Sequence, residues 1–406
     1  MIIKRGILKI LKNNLNNKQI IALVGSRQVG KTTLMQQLFK IVGDNAVFLD
    51  FENVKILNEF ENDIDFFIEK YVTNNDYLFI DEFQYARLGG KQLKYIYDTY
   101  KIKIIISGSL NPELSIQSLQ FLVGRIFIFE IYPLSFKEFI DFKSKENSFL
   151  FDSKRTQDQF SGIDKYFEEY LIYGGYPEIV LQDNIENKNK ILKNLINSYL
   201  LKEIKDILEY KNIFEFENLL EKIALQDSSI LNKSSFSRDL GINNNKLAEM
   251  INVLEKTYVI SLLRPFLKNK SKELIKSPKI YLQDLGFKNA LINNFNKLNL
   301  RSDSCSIYEN FIFNELKKLN KKIKYWNLQN RNEIDFIIED AGKIIGIEVK
   351  SKLNSTSLPK SVIKFIDEYS PKVVYVFNNS IDGENIYEGV KVIFTNYINN
   401  VYLFQK

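Results

Sequence analysis

The sequence predicts an α/β protein: a parallel sheet with a phosphate-binding loop, then a helical region with a winged-helix-like module, then a smaller α/β domain. Three observations carry this prediction. The apolar run Ile20-Ile-Ala-Leu-Val24 leads directly into Gly25-Ser26-Arg27-Gln28-Val29-Gly30-Lys31-Thr32-Thr33. Short apolar runs then alternate with amphipathic stretches to about residue 135, the pattern of parallel strands covered on both faces by helices. Near the other end, two alternating strands carry carboxylates and a lysine on either side of a turn at 339–342.

The first observation is the most specific. Residues 25–32 fit G-x-x-x-x-G-K-[ST], and each residue type has a physical reason. Gly25 and Gly30 let the backbone turn so that successive N–H groups point at phosphate oxygens. Lys31 reaches the β- and γ-phosphates, and the Thr32 hydroxyl ligates Mg²⁺. The amphipathic run at 33–42, apolar at Leu34, Leu38, Ile41 and Val42, reads as a helix whose positive N-terminal end faces the same anion.

About fifty residues beyond Lys31, the run at 77–80 reads as a short buried strand ending in Asp81-Glu82. Asp81 is suited to hold Mg²⁺ through water, and Glu82 to orient and deprotonate an attacking water. A further strand at 46–51 places Asp50 at its end, and another at 103–106 runs into Ser107-Gly108-Ser109. The serines there either contact the γ-phosphate or attacking water or simply begin a loop. Arg125, in Gly124-Arg125, is a candidate arginine finger or γ-phosphate sensor. No Asn-Lys dipeptide is followed two residues later by Asp, the guanine-reading pattern, which favours ATP over GTP.

Composition narrows the chemistry further. At 406 residues, 45% hydrophobic and 26% charged, the chain is that of a soluble globular protein of two or three domains. No stretch approaches the ~18 uninterrupted apolar residues of a membrane span, and the N-terminal run MIIKRGILKILKNNL reads as an amphipathic helix, not a signal peptide. A cytoplasmic protein without membrane attachment is the expectation. With no histidine, every His-based triad or metal site is excluded, and the single Cys305 excludes an intrachain disulfide and a cysteine-cluster zinc site. Any metal must then be held by oxygen ligands, as Mg²⁺, Mn²⁺ or Ca²⁺ are. The formal charge of +6 permits nucleic-acid binding without requiring it.

A polar stretch at 143–164 marks a boundary or loop, and helical periodicity follows at 165–225, interrupted by Tyr173-Gly-Gly-Tyr-Pro177. The spacing at 236–251, with a turn at Gly241 and apolar Leu240, Leu247, Ile251 and Leu254, suits a helix-turn-helix. Behind it lies a basic segment with Arg264, Lys268, Lys270, Lys272, Lys276 and Lys279 against Glu273. It reads either as a wing touching phosphates of double-stranded DNA or as a solvated loop, and such helix pairs also serve as protein-binding modules.

In the C-terminal hairpin, alternation puts Glu333 and Asp335 on one face of the first strand, and Glu348 and Lys350 on one face of the second. Two carboxylates on neighbouring strands can share a divalent ion, and Glu309, on a helix at 306–319, is placed to complete a second metal site. Asp335 followed by Glu348-x-Lys350 resembles the PD-(D/E)xK core of restriction-endonuclease-like domains.

The order of motifs resembles the AAA-type (AAA_14-like) P-loop ATPases that carry a C-terminal DUF4143 domain. The residues that carry the resemblance are GSRQVGKTTL at 25–34, IDEFQ at 80–84, SGS at 107–109, GR at 124–125, YPLSFKEF at 132–139, YGGYPE at 173–178, SPKIYLQDLG at 277–286, YENFIFNEL at 308–316, and NEIDF with IEVK. Ser107 stands where a Thr is more usual in that family. The resemblance implies an ATPase domain at 1–142, a helical and winged-helix region at 143–290 and a restriction-endonuclease-like end at 291–406. It maps nucleotide binding to 25–33, the acidic pair to Asp81 and Glu82, and the arginine to Arg125. The expected protein is a Mg²⁺-dependent ATPase whose nucleotide state governs binding of DNA or a protein partner, with oligomerisation possible. Its rivals are an ATP-gated metal-dependent nuclease and a nucleotide-switched binding protein with little turnover.

Overall fold

Five of the apolar runs become β1 (Ile20–Val24), β2 (Ala46–Asp50), β3 (Tyr77–Asp81), β4 (Lys103–Gly108) and β5 (Ile126–Glu130) of one sheet in the computed structural model. The strand order is β2-β3-β4-β1-β5, and every pairing is parallel. Strand β1 is buried at all five positions, as expected of a β-branched, apolar strand inside a doubly covered parallel sheet. Its crossover helices include Lys31–Val42, Val54–Asn62, Ile64–Tyr71 and Gly89–Thr99. Asn53 and Asp63 cap the second and third of these by accepting from Lys55 N–H and Phe66 N–H. Ile20, Leu78, Ile80, Ile104, Phe60, Phe67, Leu93 and Ile96 are among the residues of the core so formed.

The structure describes residues 3–86, 89–109, 120–151, 155–156, 162–200, 204, 212–268, 273, 276–328, 332–340 and 342–404. The chain divides into two compact units: Met1–Pro133 with Asn197–Ile213 and Glu249–Val259, and Leu134–Ile196 with Phe214–Ala248 and Ile260–Lys406. The parallel sheet belongs to the first.

Two sheets lie in the second unit. Strands β6 (Ser229–Ile230), β7 (Ile260–Leu263) and β8 (Lys279–Leu282) form a small antiparallel sheet in the order β6-β8-β7. Strands β9 (Ile323–Leu328), β10 (Asn332–Asp340), β11 (Lys343–Val349), β12 (Val373–Asn378), β13 (Gly383–Tyr387) and β14 (Val390–Asn396) form a mixed sheet in the order β13-β14-β12-β11-β10-β9. The hairpin expected at 333–350 is the antiparallel β10–β11 pair, with Phe336 opposite Ile347. Helix Lys360–Tyr369 connects β11 to the parallel β12 and buries Val362, Phe365 and Ile366 in the core of this sheet.

The glycine motifs of this unit have structural employment. Helix Asp164–Tyr173 ends at Gly174, whose φ is 74°, and Pro177 opens the next helix, Pro177–Val180. A Cβ on Gly174 would lie 2.1 Å from Asp284 Oδ1. The Asp284 carboxylate accepts from Gly175 N–H at 2.7 Å and from Phe287 N–H at 2.9 Å, so one buried side chain joins the YGGYP turn to a helix start just beyond β8.

The helix pair expected at 236–251 is present as Lys233–Leu240 and Asn244–Lys256, with Gly241 in the left-handed conformation between them. Part of the polar stretch at 143–164 is more regular than expected, because Lys145–Phe151 forms 3₁₀ turns; 152–154 and 157–161 lie outside the described residues. Among the described residues, no helix is long and apolar enough to cross a membrane.

Candidate functional site

The phosphate loop starts where β1 ends. A Cβ on Gly25 would lie 2.2 Å from the Ile131 carbonyl oxygen, so only glycine fits this close approach. Gly30, with φ 95° and ψ 26°, turns the chain into helix Lys31–Val42, which begins directly at the lysine and has no side-chain cap. The first-turn amides of that helix are therefore left to face the loop interior. Lys31 is 6% exposed, and its ammonium folds back on its own loop, donating to Gly25 O at 2.9 Å and Ser26 O at 2.8 Å. Ser26, Arg27, Gln28 and Val29 complete the loop, with Gln28 at φ 61° and Val29 fully buried.

The register of the sheet brings the acidic pair to this loop's side. Ile80 lies opposite Ile106 and Val24 opposite Gly108, so the ends of β3, β4 and β1 are neighbours. Asp81 is buried and accepts from the Ser107 hydroxyl and from Glu82 N–H at 3.0 Å. Ser107 therefore holds the expected metal-side carboxylate. Glu82 leaves the strand in a left-handed conformation, φ 53°, and its carboxylate accepts from Gln84 Nε2. Burial pushes the Glu82 carboxyl above its ordinary range, against the opposing pull of Gln84, Lys31 and Arg27. Gln84 is the residue that sequence reasoning missed here; it stood in the quoted IDEFQ run.

Arg125 stands away from this loop within the chain. It sits at the start of β5, where its carbonyl accepts from Ile20 N–H at 2.7 Å, and Ile20 pairs with Ile126 at the beginning of β1. The phosphate loop follows the other end of β1, five strand residues of roughly 3.3 Å each away. The guanidinium instead grips Asp98, with Nε to Oδ1 at 2.9 Å and Nη2 to Oδ2 at 3.1 Å. Arg125 is thus no part of the phosphate site of its own chain.

The second unit gathers the other candidates. Glu309 from helix Ser304–Lys318 and Glu333 and Asp335 from β10 bring one carboxylate oxygen each within 4.8 Å of one another. The β10–β11 register carries Asp335 beside Glu348. Asp335 accepts from Val349 N–H at 2.8 Å, while Glu348 pairs with Lys350 and accepts from the Ser361 hydroxyl at 3.3 Å. Glu348 is 2% exposed, and its Oε2 has no hydrogen-bond partner. Burial raises the Glu348 carboxyl to about 8 and the Glu309 carboxyl to about 7. Burial raises Asp335 as well, opposed by Lys279.

Lys279 requires a correction. It was expected on an exposed basic wing, yet it is 2% exposed and β8 points its ammonium into this cluster. It lies 2.8 Å from Glu309 Oε1 and 3.5 Å from Asp335 Oδ1, and it pairs with Glu333. Burial alone would lower the pKa of this lysine; the three carboxylates outweigh that and hold it well above the ordinary range. Tyr281, two residues on and so on the same strand face, donates to Glu309 Oε1 at 2.6 Å and stacks on Phe313. The alternation Lys279-Ile-Tyr281 was the signal available in the sequence. Of the remaining wing lysines, Lys276 donates to Asn327 O at 3.3 Å, and Lys270 and Lys272 lie outside the described residues.

With this geometry in hand, similarity to known proteins can be placed on it. Residues 17–140 match a family described as an AAA domain, residues 164–298 a domain of unknown function (DUF8612), and residues 305–398 a domain of unknown function (DUF4143). The chain accordingly carries an AAA-type P-loop domain at 17–140 and a DUF4143 domain at 305–398, and its fold is that of an ATPase-like P-loop NTPase followed by further mixed α/β structure. An uncharacterized protein of Haemophilus influenzae is 25% identical over 386 residues, covering 90% of this chain and 91% of the relative. One of Methanocaldococcus jannaschii is 26% identical over 356 residues, covering 85% of this chain and 77% of the relative. A solved Walker-type ATPase of Pyrococcus abyssi aligns with TM-score 0.48 at 16% identity, over 71% of this chain and 96% of that one.

Proposed function

We propose that this protein is a cytoplasmic, Mg²⁺-dependent ATPase whose nucleotide state controls DNA or protein binding by its C-terminal modules. The observation that carries the reading is the convergence of the 25–33 loop, Asp81, Glu82 and Ser107 at the adjoining ends of β1, β3 and β4. The residues present fit ATP and Mg²⁺. An uncapped helix start offers N–H donors to phosphates, the Lys31 ammonium bonds two loop carbonyls that phosphate oxygens can replace, and Thr32 and Asp81 supply oxygen donors of the kind Mg²⁺ takes. Bound Mg·ATP would supply a phosphoryl group open to attack by water.

The protein's own part is positioning and charge. Backbone amides of residues 25–33 would hold the phosphates, and Lys31 would exchange its two carbonyl bonds for phosphate oxygens. Asp81, fixed by Ser107, would face the metal. Glu82, oriented by Gln84, would accept the proton of the attacking water, and its raised pKa makes it a better base than an exposed carboxylate. Arg125 acts, in this reading, only across an interface between subunits, with Asp98 given up in exchange. The division into residues 1–142, 143–290 and 291–406 is proposed as the functional one: engine, winged-helix-like adaptor and restriction-endonuclease-like end.

The deciding experiment is steady-state ATP hydrolysis by wild type and Lys31→Ala, each with and without double-stranded DNA. Hydrolysis that is lost in Lys31→Ala supports the ATPase; no Mg·ATP affinity, or unchanged activity in Lys31→Ala, overturns it. Stimulation by DNA assigns the C-terminal modules to nucleic acid, whereas indifference to DNA assigns them to a protein partner, with slow turnover and tight ATP retention marking a switch. A second reading, an ATP-gated nuclease, is favoured by the gathering of Glu309, Asp335, Glu348 and Lys350. Mn²⁺-dependent DNA cleavage lost in Asp335→Ala supports it, and cleavage that survives the substitution rules it out.

A further inference from the structure

The carboxylate cluster of the second unit already contains a cation of its own. Three oxygens, from Glu309, Glu333 and Asp335, lie within 4.8 Å of one another, a separation suited to ligands that share one oxygen-liking divalent ion. The group they surround is the Lys279 ammonium, 2.8 Å from Glu309 and 3.5 Å from Asp335 and paired with Glu333. An ammonium and a metal ion bound by the same oxygens would occupy the same space, so the two exclude one another.

A second observation points to an unfilled coordination position. Glu348 Oε2 is buried and has no hydrogen-bond partner, although Glu348 stands beside Asp335 across the β10–β11 pair and its other oxygen is used by Lys350 and Ser361. A buried carboxyl oxygen without a partner costs free energy, and a divalent ion bound on the Asp335 side of the cluster would supply a positive charge next to it.

We propose that Lys279 is a built-in counter-cation occupying a divalent-metal site made by Glu309, Glu333 and Asp335, with Glu348 beside Asp335 at its edge, and that the site takes Mn²⁺ or Mg²⁺ only when the Lys279 side chain leaves it. Lys279 thus gates the cluster and is not a ligand of it. The inference stands apart from the ATPase reading, since no nucleotide enters it.

The test is a titration of the nucleotide-free full-length protein with Mn²⁺, following free Mn²⁺ by electron paramagnetic resonance. Wild type, Lys279→Met, Lys279→Met with Asp335→Asn, and Lys279→Met with Glu333→Gln are compared. Lys279→Met keeps the length of the side chain and removes its charge, and is expected to gain a Mn²⁺ site at least tenfold tighter than any in wild type. Adding Asp335→Asn abolishes that gain, and Mn²⁺ raises the melting temperature of Lys279→Met but not of wild type. The variant with Glu333→Gln removes one charge of each sign, so it gives the answer should Lys279→Met not fold without metal. A wild-type site as tight as that of Lys279→Met overturns the proposal, as does a folded Lys279→Met or Lys279→Met/Glu333→Gln that binds Mn²⁺ no better than wild type.

Discussion

Lys31 and Lys279 are both almost fully buried, at 6% and 2% exposure, and the comparison between them separates the two units chemically. Lys31 leans on two neutral carbonyls of its own loop. The acceptors there are neutral, and phosphate oxygens would replace them favourably because they add an opposite charge to the same donor. Lys279 instead sits among three carboxylates that cannot be left without a cation at little cost. Lys31 thus bonds neutral oxygens of its own loop, whereas Lys279 is ion-paired to carboxylates from three positions of the fold.

The largest expected effects divide the two sites by kind. Lys279→Ala leaves buried carboxylates uncompensated and should destabilise the second unit by roughly 3–5 kcal/mol in denaturant unfolding; a loss below about 1 kcal/mol would break the comparison. Lys31→Ala should lower ATP turnover by a factor on the order of 10²–10³, the usual result of removing one phosphate-directed donor, with little change in melting temperature. A large loss of stability there would mean that its carbonyl bonds are structural. Glu82→Gln is expected to retain ATP binding while losing turnover, and normal turnover would remove Glu82 as the base.

A pH experiment sharpens the contrast. The Glu348 carboxyl is raised from about 4.5 to about 8 in the folded protein, so the folded state holds that proton more tightly than the unfolded chain does. The resulting stability is fully present below about 4.5 and is lost as the pH rises through about 8. Glu348→Gln should flatten the stability of the second unit across that window, by a slope of up to about 1.4 kcal/mol per pH unit; an unchanged pH profile would show that Glu348 ionises freely. The smallest effect is expected from Arg125→Ala. Its pair with Asp98 is exposed, so melting temperature and turnover at high dilution should both hardly move.

The phosphate site was legible because its signals are local. A buried run, two glycines at fixed spacing and a lysine define a loop within eight residues, and Asp81 ends a strand of five with Glu82 next to it. The second unit was harder to read because its site is assembled by register. Glu309, Asp335, Glu348 and Lys350 were recoverable from alternation along strands and one helix. Lys279 was not, because it lies 30 residues from Glu309 on a strand whose basic neighbours disguised it as part of a wing. Charge counting treats every lysine as solvated; the alternation Lys279-Ile-Tyr281 hints at a strand, and the pairing of β8 with β7 and β6 places this lysine on its inward face. Arg125 was open for a related reason: Gly-Arg before a strand does not say at which end of the sheet that strand begins.

The buried Asp284 carboxylate, which joins the YGGYP turn to the end of β8, bears on how Lys279 can move at all. Strand β8 is also pinned by Asp227, which accepts from Leu282 N–H at 2.8 Å. A slip of one residue would turn Lys279 and Tyr281 to the opposite face and break both anchors. The backbone is therefore a fixed post, and the ammonium hangs from it on a tether of four rotatable bonds. Departure of the charge from the carboxylates is a matter of torsions about those bonds, and it asks for no sliding of the strand and no unfolding of the sheet.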